Sequence, residues 1–194
     1  MKNNIFWNDV LRGGAILGLI MCLSTIFENY VMYYSSMPMM TAAITYLVEW
    51  IVVVGIYIWL IYRYTKNYAN KFDVRTGFDF SSGFGFVVTL TLLVAIMVGM
   101  TNTIFYSIMG FDGFVDGYLS RLDELSLYLQ THGVPMESIQ DDMTKLRDNV
   151  ATLEQPSMLS SILGTISNYV FIGVFIGVIV AFVVRRRPIF IDNE

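Results

Sequence analysis

The sequence predicts an all-α fold: a four-helix transmembrane bundle with an extracytoplasmic antiparallel helical hairpin between helices 3 and 4. Three observations predict it. Charged residues make up 14% of 194 and hydrophobic residues 55%, with a mean hydropathy of +0.58. Soluble domains carry roughly 25% charged residues, so lipid is the simplest solvent for this chain. Four apolar runs are each long enough to cross a bilayer, and cationic residues gather at alternate ends of those runs. The length suits one membrane domain over 1–194, with the hairpin over 112–155 inside it.

A helix needs roughly 20 apolar residues to cross about 30 Å of hydrocarbon. The predicted spans are about 10–34, 41–62, 84–108 and 158–184, and none contains Lys or Arg between its first and last turns. The first run follows Lys2 and Arg12, as a signal peptide would, but no small-x-small cleavage site follows it. It is read as a retained helix.

Orientation follows from the basic residues. Lys2 and Arg12 precede the first span, Arg63, Lys66, Lys71 and Arg75 lie between the second and third, and Arg185, Arg186 and Arg187 follow the fourth. The segment between the third and fourth spans has Arg121, Lys145 and Arg147 against nine acidic residues. Positive charge is retained on the cytoplasmic side, so both termini are expected there, in a bacterial inner membrane. Tyr30, Tyr33 and Tyr34 at one level, and Tyr57, Trp59, Tyr62 and Tyr64 at the other, fit aromatic belts.

The outer loop carries two apolar stripes. Val115, Tyr118, Leu122, Leu125 and Leu129 step by three and four, as do Ile139, Met143, Leu146, Val150 and Leu153. That spacing is a coiled-coil seam. Gly133 suits a helix end and Pro135 the start of the next, which places the tip near His132 to Val134. The hairpin is expected to extend the third and fourth spans outward, its stripes packing on each other or on a partner.

Catalytic chemistry has little to stand on. The one histidine, His132, sits in a turn, and the one cysteine, Cys22, sits in an apolar run. No Ser-His-Asp triad, Cys/His metal site or disulfide framework follows from that inventory. The glycine-rich stretch from Gly77 to Gly85 lacks the lysine of a phosphate loop. It is read as a break before the third span, with Ser81 or Ser82 as N-cap. No cofactor, metal or catalytic residue is expected.

Polar residues at similar depth are the more informative signal. Counting 1.5 Å per residue, Glu28 lies roughly 10 Å below the outer end of helix 1 and Glu49 roughly 13 Å into helix 2. Asn102 and Asn168 fall in the same slab on helices 3 and 4, as do Thr45, Thr101 and Thr103. An unpaired carboxylate in hydrocarbon costs about 2.5–3.5 kcal/mol on insertion scales and turns toward the bundle interior or a wet cavity. Glu28 and Glu49 are therefore expected to face each other across a small cavity opening outward. Interhelical hydrogen bonding and a site for a proton, cation or polar ligand are both open readings.

Small residues at spacing four mark close packing. Gly14, Gly18 and Cys22 share one face of helix 1, and Gly173, Gly177 and Ala181 one face of helix 4. Close approach of helices in lipid runs through such faces, within one chain or between two. The basic residues Arg63, Lys66, Lys71, Arg75, Arg185, Arg186 and Arg187 are expected to meet anionic lipid headgroups, with no role for nucleic acid.

The stretches RGGAILGL from Arg12 to Leu19, GFDFSSGFGF from Gly77 to Phe86, and GFVDGYLSRLDEL continuing to THGVPMESI carry a family resemblance. The chain resembles the bacterial membrane family known as domain of unknown function 4199. The resemblance implies a four-helix membrane protein with a helical outer loop and brings no activity or site residue with it. It also implies a membrane-associated family 2 glycosyltransferase as a partner. The sequence thus supports an accessory, partner-binding membrane subunit, with homo-oligomerisation possible through helix 4. The alternative is a small transporter, or a proton- or cation-handling protein using Glu28 and Glu49.

Overall fold

A computed structural model describes residues 2–73, 75–133 and 140–188. Among these the chain is all helical: α1 (Lys2–Asn29), a π-helical turn (Tyr30–Tyr34), α2 (Met39–Ala69), α3 (Phe80–Met109), α4 (Phe111–Thr131), α5 (Gln140–Ala151) and α6 (Met158–Val184). Four helices are long and apolar enough to cross a membrane: Asn4–Tyr34, Met39–Ala69, Phe80–Met109 and Met158–Val184.

The second span runs past the expected end at Tyr62 to Ala69. Lys66 sits in its last turn, where a cation meets the negative end of the helix dipole. At the start of α3 the cap is Asp79, not Ser81 or Ser82. Its side chain accepts the Ser82 amide at 3.2 Å and the Ser81 hydroxyl at 2.7 Å. These bonds, Ser82 foremost, hold the Asp79 carboxyl below the usual carboxylate range.

α3 is the central element, packing most extensively on α6 and next on α1. Its buried residues include Phe86, Val87, Leu90, Val94 and Val98. The small-residue faces do this packing within one chain. A Cβ at Gly14 would strike Leu93, and one at Gly18 would strike Met97. A Cβ at Gly173 would come within 2.7 Å of Thr91, and one at Gly177 within 3.2 Å of Phe84. Gly99, on α3 itself, lets the α6 backbone approach, since a Cβ there would lie 2.6 Å from Ile162 Cα.

The end of the bundle that carries both termini is closed by aromatic rings and a short backbone pairing. Tyr68 stacks on Phe86 at 4.6 Å and meets Phe78 edge-on at 5.8 Å. Phe78 and Arg186 exchange two backbone hydrogen bonds of 2.9 Å each. Gly77, at φ +68°, makes the turn that permits this; a Cβ there would lie 2.7 Å from the Arg186 carbonyl oxygen.

At the opposite end α4 does not continue α3. Gly110, at φ +85°, breaks the helix between them. Likewise 152–157 interrupt α5 and α6, and Ser157 caps α6 by accepting the Ser160 amide. α4 and α5 pack on each other, and Arg147 pairs with Asp123 at 2.5 Å. Of the second stripe, Val150 is buried while Leu146 and Leu153 are exposed. The first stripe is partly spent on the bundle: Tyr118 stacks on Tyr33 at 5.6 Å, and Phe114 meets the same ring at 4.6 Å. Ile139 and the tip at Val134 and Pro135 lie outside the described residues; His132 is exposed, its ring over Tyr128.

Candidate functional site: a carboxyl pair between α1 and α2

Ser24 and Glu28 stand one helical turn apart on α1, so both side chains leave the same face. Glu49 comes to that face from α2. The Ser24 hydroxyl lies 2.6 Å from Glu49 Oε1 and 3.4 Å from Glu28 Oε1. The two carboxyls thus meet at one hydroxyl. Glu49 Oε2 is shut off from solvent and receives no hydrogen from a protein donor. None of the ion pairs among the described residues involves either glutamate.

A second polar contact extends the layer toward α3. The Asn29 amide donates to Asn102 Oδ1 at 3.1 Å, and the Tyr106 hydroxyl donates to Asn29 Oδ1 at 3.3 Å. The structure thus brings Glu28, Glu49 and Asn102 to one level through Ser24 and Asn29. It does not bring Asn168, which is exposed on α6. Thr45 and Thr103 return their hydroxyls to their own helix backbones, at Thr41 and Gly99.

The turn above this layer is held by a residue with no local signal in the sequence. Arg121 of α4 donates to the carbonyls of Met32 at 2.9 Å, Met37 at 2.6 Å, Ser35 at 3.2 Å and Val31 at 3.4 Å. It also pairs with Glu124 at 3.0 Å, and its side chain is 12% exposed. Glu124 Oε2 in turn accepts the Met39 amide at 2.6 Å, at the first residue of α2. One turn of α4 therefore reaches carbonyls of the turn after α1, of which Val31 also accepts the Ser35 hydroxyl at 2.6 Å, and a bare amide of α2 together. Beside it opens a cavity of about 430 Å³ whose walls include Tyr33, Asp116 and Glu124. Ser24, Asn29, Tyr106, Arg121 and Glu124 are the residues that sequence reasoning missed here.

Arg63, Lys66, Lys71, Arg75, Arg185, Arg186 and Arg187 are all exposed and differ in what they touch. Arg75, Arg185 and Arg187 are exposed, and Lys66 is exposed with its ammonium 5.6 Å from the Tyr62 ring centre. Lys71 pairs with Asp9 at 2.6 Å. Arg186, exposed as a residue, donates to the Ala69 carbonyl at the end of α2. Arg63 lies 5.1 Å from the Trp59 ring centre.

Among the described residues the protein is all helical, and four of its helices are long and apolar enough to cross a membrane, which is consistent with a membrane protein. A family model described as "Protein of unknown function (DUF4199)" matches residues 12–186, so the chain belongs to that family. No curated protein and no solved structure matches it.

Proposed function

We propose that this protein lies in a bacterial inner membrane with both termini cytoplasmic, and that Glu28, Ser24 and Glu49 bind and release a proton or small cation. The orientation rests on the basic residues at the end where α2 meets α3 and α6 finishes, against the acidic α4 and α5. On that orientation α4 and α5 form an extracytoplasmic hairpin. A cysteine placed at Leu127 is expected to react with an impermeant thiol reagent on intact cells, and one at Asn70 only after lysis. The reverse pattern inverts the model.

One observation carries the functional reading: two carboxyls from different helices share a single hydroxyl with no cation beside them. A hydroxyl has one proton and satisfies one carboxylate at a time. Two charged carboxylates this close in a low-dielectric setting repel strongly, so a proton or cation must neutralise at least one of them.

Reconstituted vesicles test this. The wild type is expected to pass protons or monovalent cations, and the Glu28→Gln, Glu49→Gln double variant to lose about tenfold or more of that flux. Unchanged flux in a double variant that retains its melting temperature removes the site from the mechanism. The second reading, an accessory subunit of a membrane glycosyltransferase, would then take precedence. The exposed Leu127, Leu146 and Leu153 on α4, α5 and the chain just after favour it. Isolation in mild detergent decides it: a co-purifying glycosyltransferase supports the reading, and a chain recovered alone opposes it.

A further inference from the structure

α1 and α2 part at the end of the bundle that carries both termini, leaving a cavity of about 620 Å³ between them. Its rim is polar: Arg12 from α1, and Arg63, Asn67 and Asn70 from α2 and its cap. Its floor is apolar and buried, formed by Leu60 and by Phe86 of α3. Arg12 and Arg63 both line this space without a carboxylate partner among the described residues, Arg63 with its guanidinium 5.1 Å from the Trp59 ring centre. The one acidic residue in the wall, Asp9, is already neutralised by Lys71, through bonds of 2.6 and 2.8 Å.

We infer that this cleft is a binding site for a phosphate-bearing anion, and that the phosphate is that of an anionic lipid headgroup. Arg12 and Arg63 both line the cleft with no carboxylate for either, and an anion between them would offset their like charge. A phosphate diester fits that need, because each guanidinium presents a planar fork of donors to its oxygens. The Asn67 and Asn70 carboxamides add neutral donors at the same rim. Basic pockets between membrane helices at this depth are where anionic headgroups bind. Ile16 lines the cleft and is 42% exposed, so the polar rim passes directly into apolar helix surface on which an acyl chain can lie. A soluble phosphate has no use for that flank.

The site is separate from Glu28 and Glu49 and does not depend on what they bind. Native mass spectrometry of the protein in mild detergent, mixed with equal phosphatidylglycerol and phosphatidylethanolamine, reads it. The wild type is expected to retain phosphatidylglycerol preferentially. Arg12→Gln with Arg63→Gln should weaken that retention roughly tenfold or more, as loss of charged hydrogen bonds does. Lys66→Gln with Arg187→Gln removes the same charge outside the cleft and should change it less than about twofold. Equal losses in the two pairs, or equal retention of both lipids by the wild type, overturn the site. If the arginine pair does not fold, Asn67→Ala with Asn70→Ala takes its place, and undiminished retention there overturns it. Inorganic pyrophosphate added to lipid-free protein separates the two sources. No thermal shift supports the lipid, whereas a shift without phosphatidylglycerol retention overturns the lipid assignment and leaves a soluble phosphate.

Discussion

Replacing Arg121 with alanine is expected to lower stability by about 3–5 kcal/mol, the scale for removing one partner of a buried charged network. The carbonyls of Met32 and Ser35 lose their guanidinium donor, while Val31 keeps the Ser35 hydroxyl and the exposed Met37 can turn to water; each acceptor left unsatisfied out of water costs about 1–3 kcal/mol. Glu124 keeps the Met39 amide but loses its cation. Lysine at 121 should not restore the loss. A single ammonium cannot reach acceptors spread around a guanidinium fork. Thermal unfolding in detergent measures both variants, and a melting temperature within a degree or two of the wild type would show that water replaces the guanidinium without penalty.

Gly117→Val should have an effect of similar size by a different route. The α4 backbone passes so close to the π-helical turn that a Cβ at 117 would overlap the Tyr33 carbonyl oxygen. A backbone oxygen cannot swing aside as a side chain can, so α4 must lift from the bundle. Overpacking alone costs about 1–3 kcal/mol, and lifting α4 also strains the Arg121 bonds and the Tyr33–Tyr118 stack. Protease sensitivity of α4 and α5 reports the result: cleavage there should rise while α3 and α6 stay protected. Unchanged cleavage would mean that the turn at Tyr33 yields instead.

What the sequence makes legible follows from what adds up along a chain. Hydropathy and charge sum residue by residue, so the spans needed no neighbour to be read. Depth also sums, at 1.5 Å per residue, and it put Glu28, Glu49 and Asn102 at one level. Azimuth does not come free. Asn168 has the right depth but lies five residues before Gly173, roughly 140° around the helix from the face that packs on α3. The glycine face already implied this. Ser24 was legible in principle as the residue one turn before Glu28. Arg121 was not, since nothing local to α4 names the turn between α1 and α2 as its target. A weaker sign did exist: Gly113 and Gly117, four apart, mark a close approach, and they meet Tyr34 and Tyr33. The coiled-coil stripe drew α4 toward α5 alone, when its first half packs on the bundle.

The pairing of Phe78 with Arg186 bears on how the protein is made. Residue 78 leaves the ribosome more than a hundred residues before residue 186, as their numbers show. Until then the junction of α2 and α3 has neither its backbone partner nor the guanidinium that caps Ala69. Assembly at this end is thus completed by a segment synthesised after all four of the described long apolar helices. A ribosome stalled with α6 inserted but 185–188 still in its exit tunnel would hold a bundle open at one end. Closing that end needs the backbone of Phe78 and of Arg186, so it waits on 185–188.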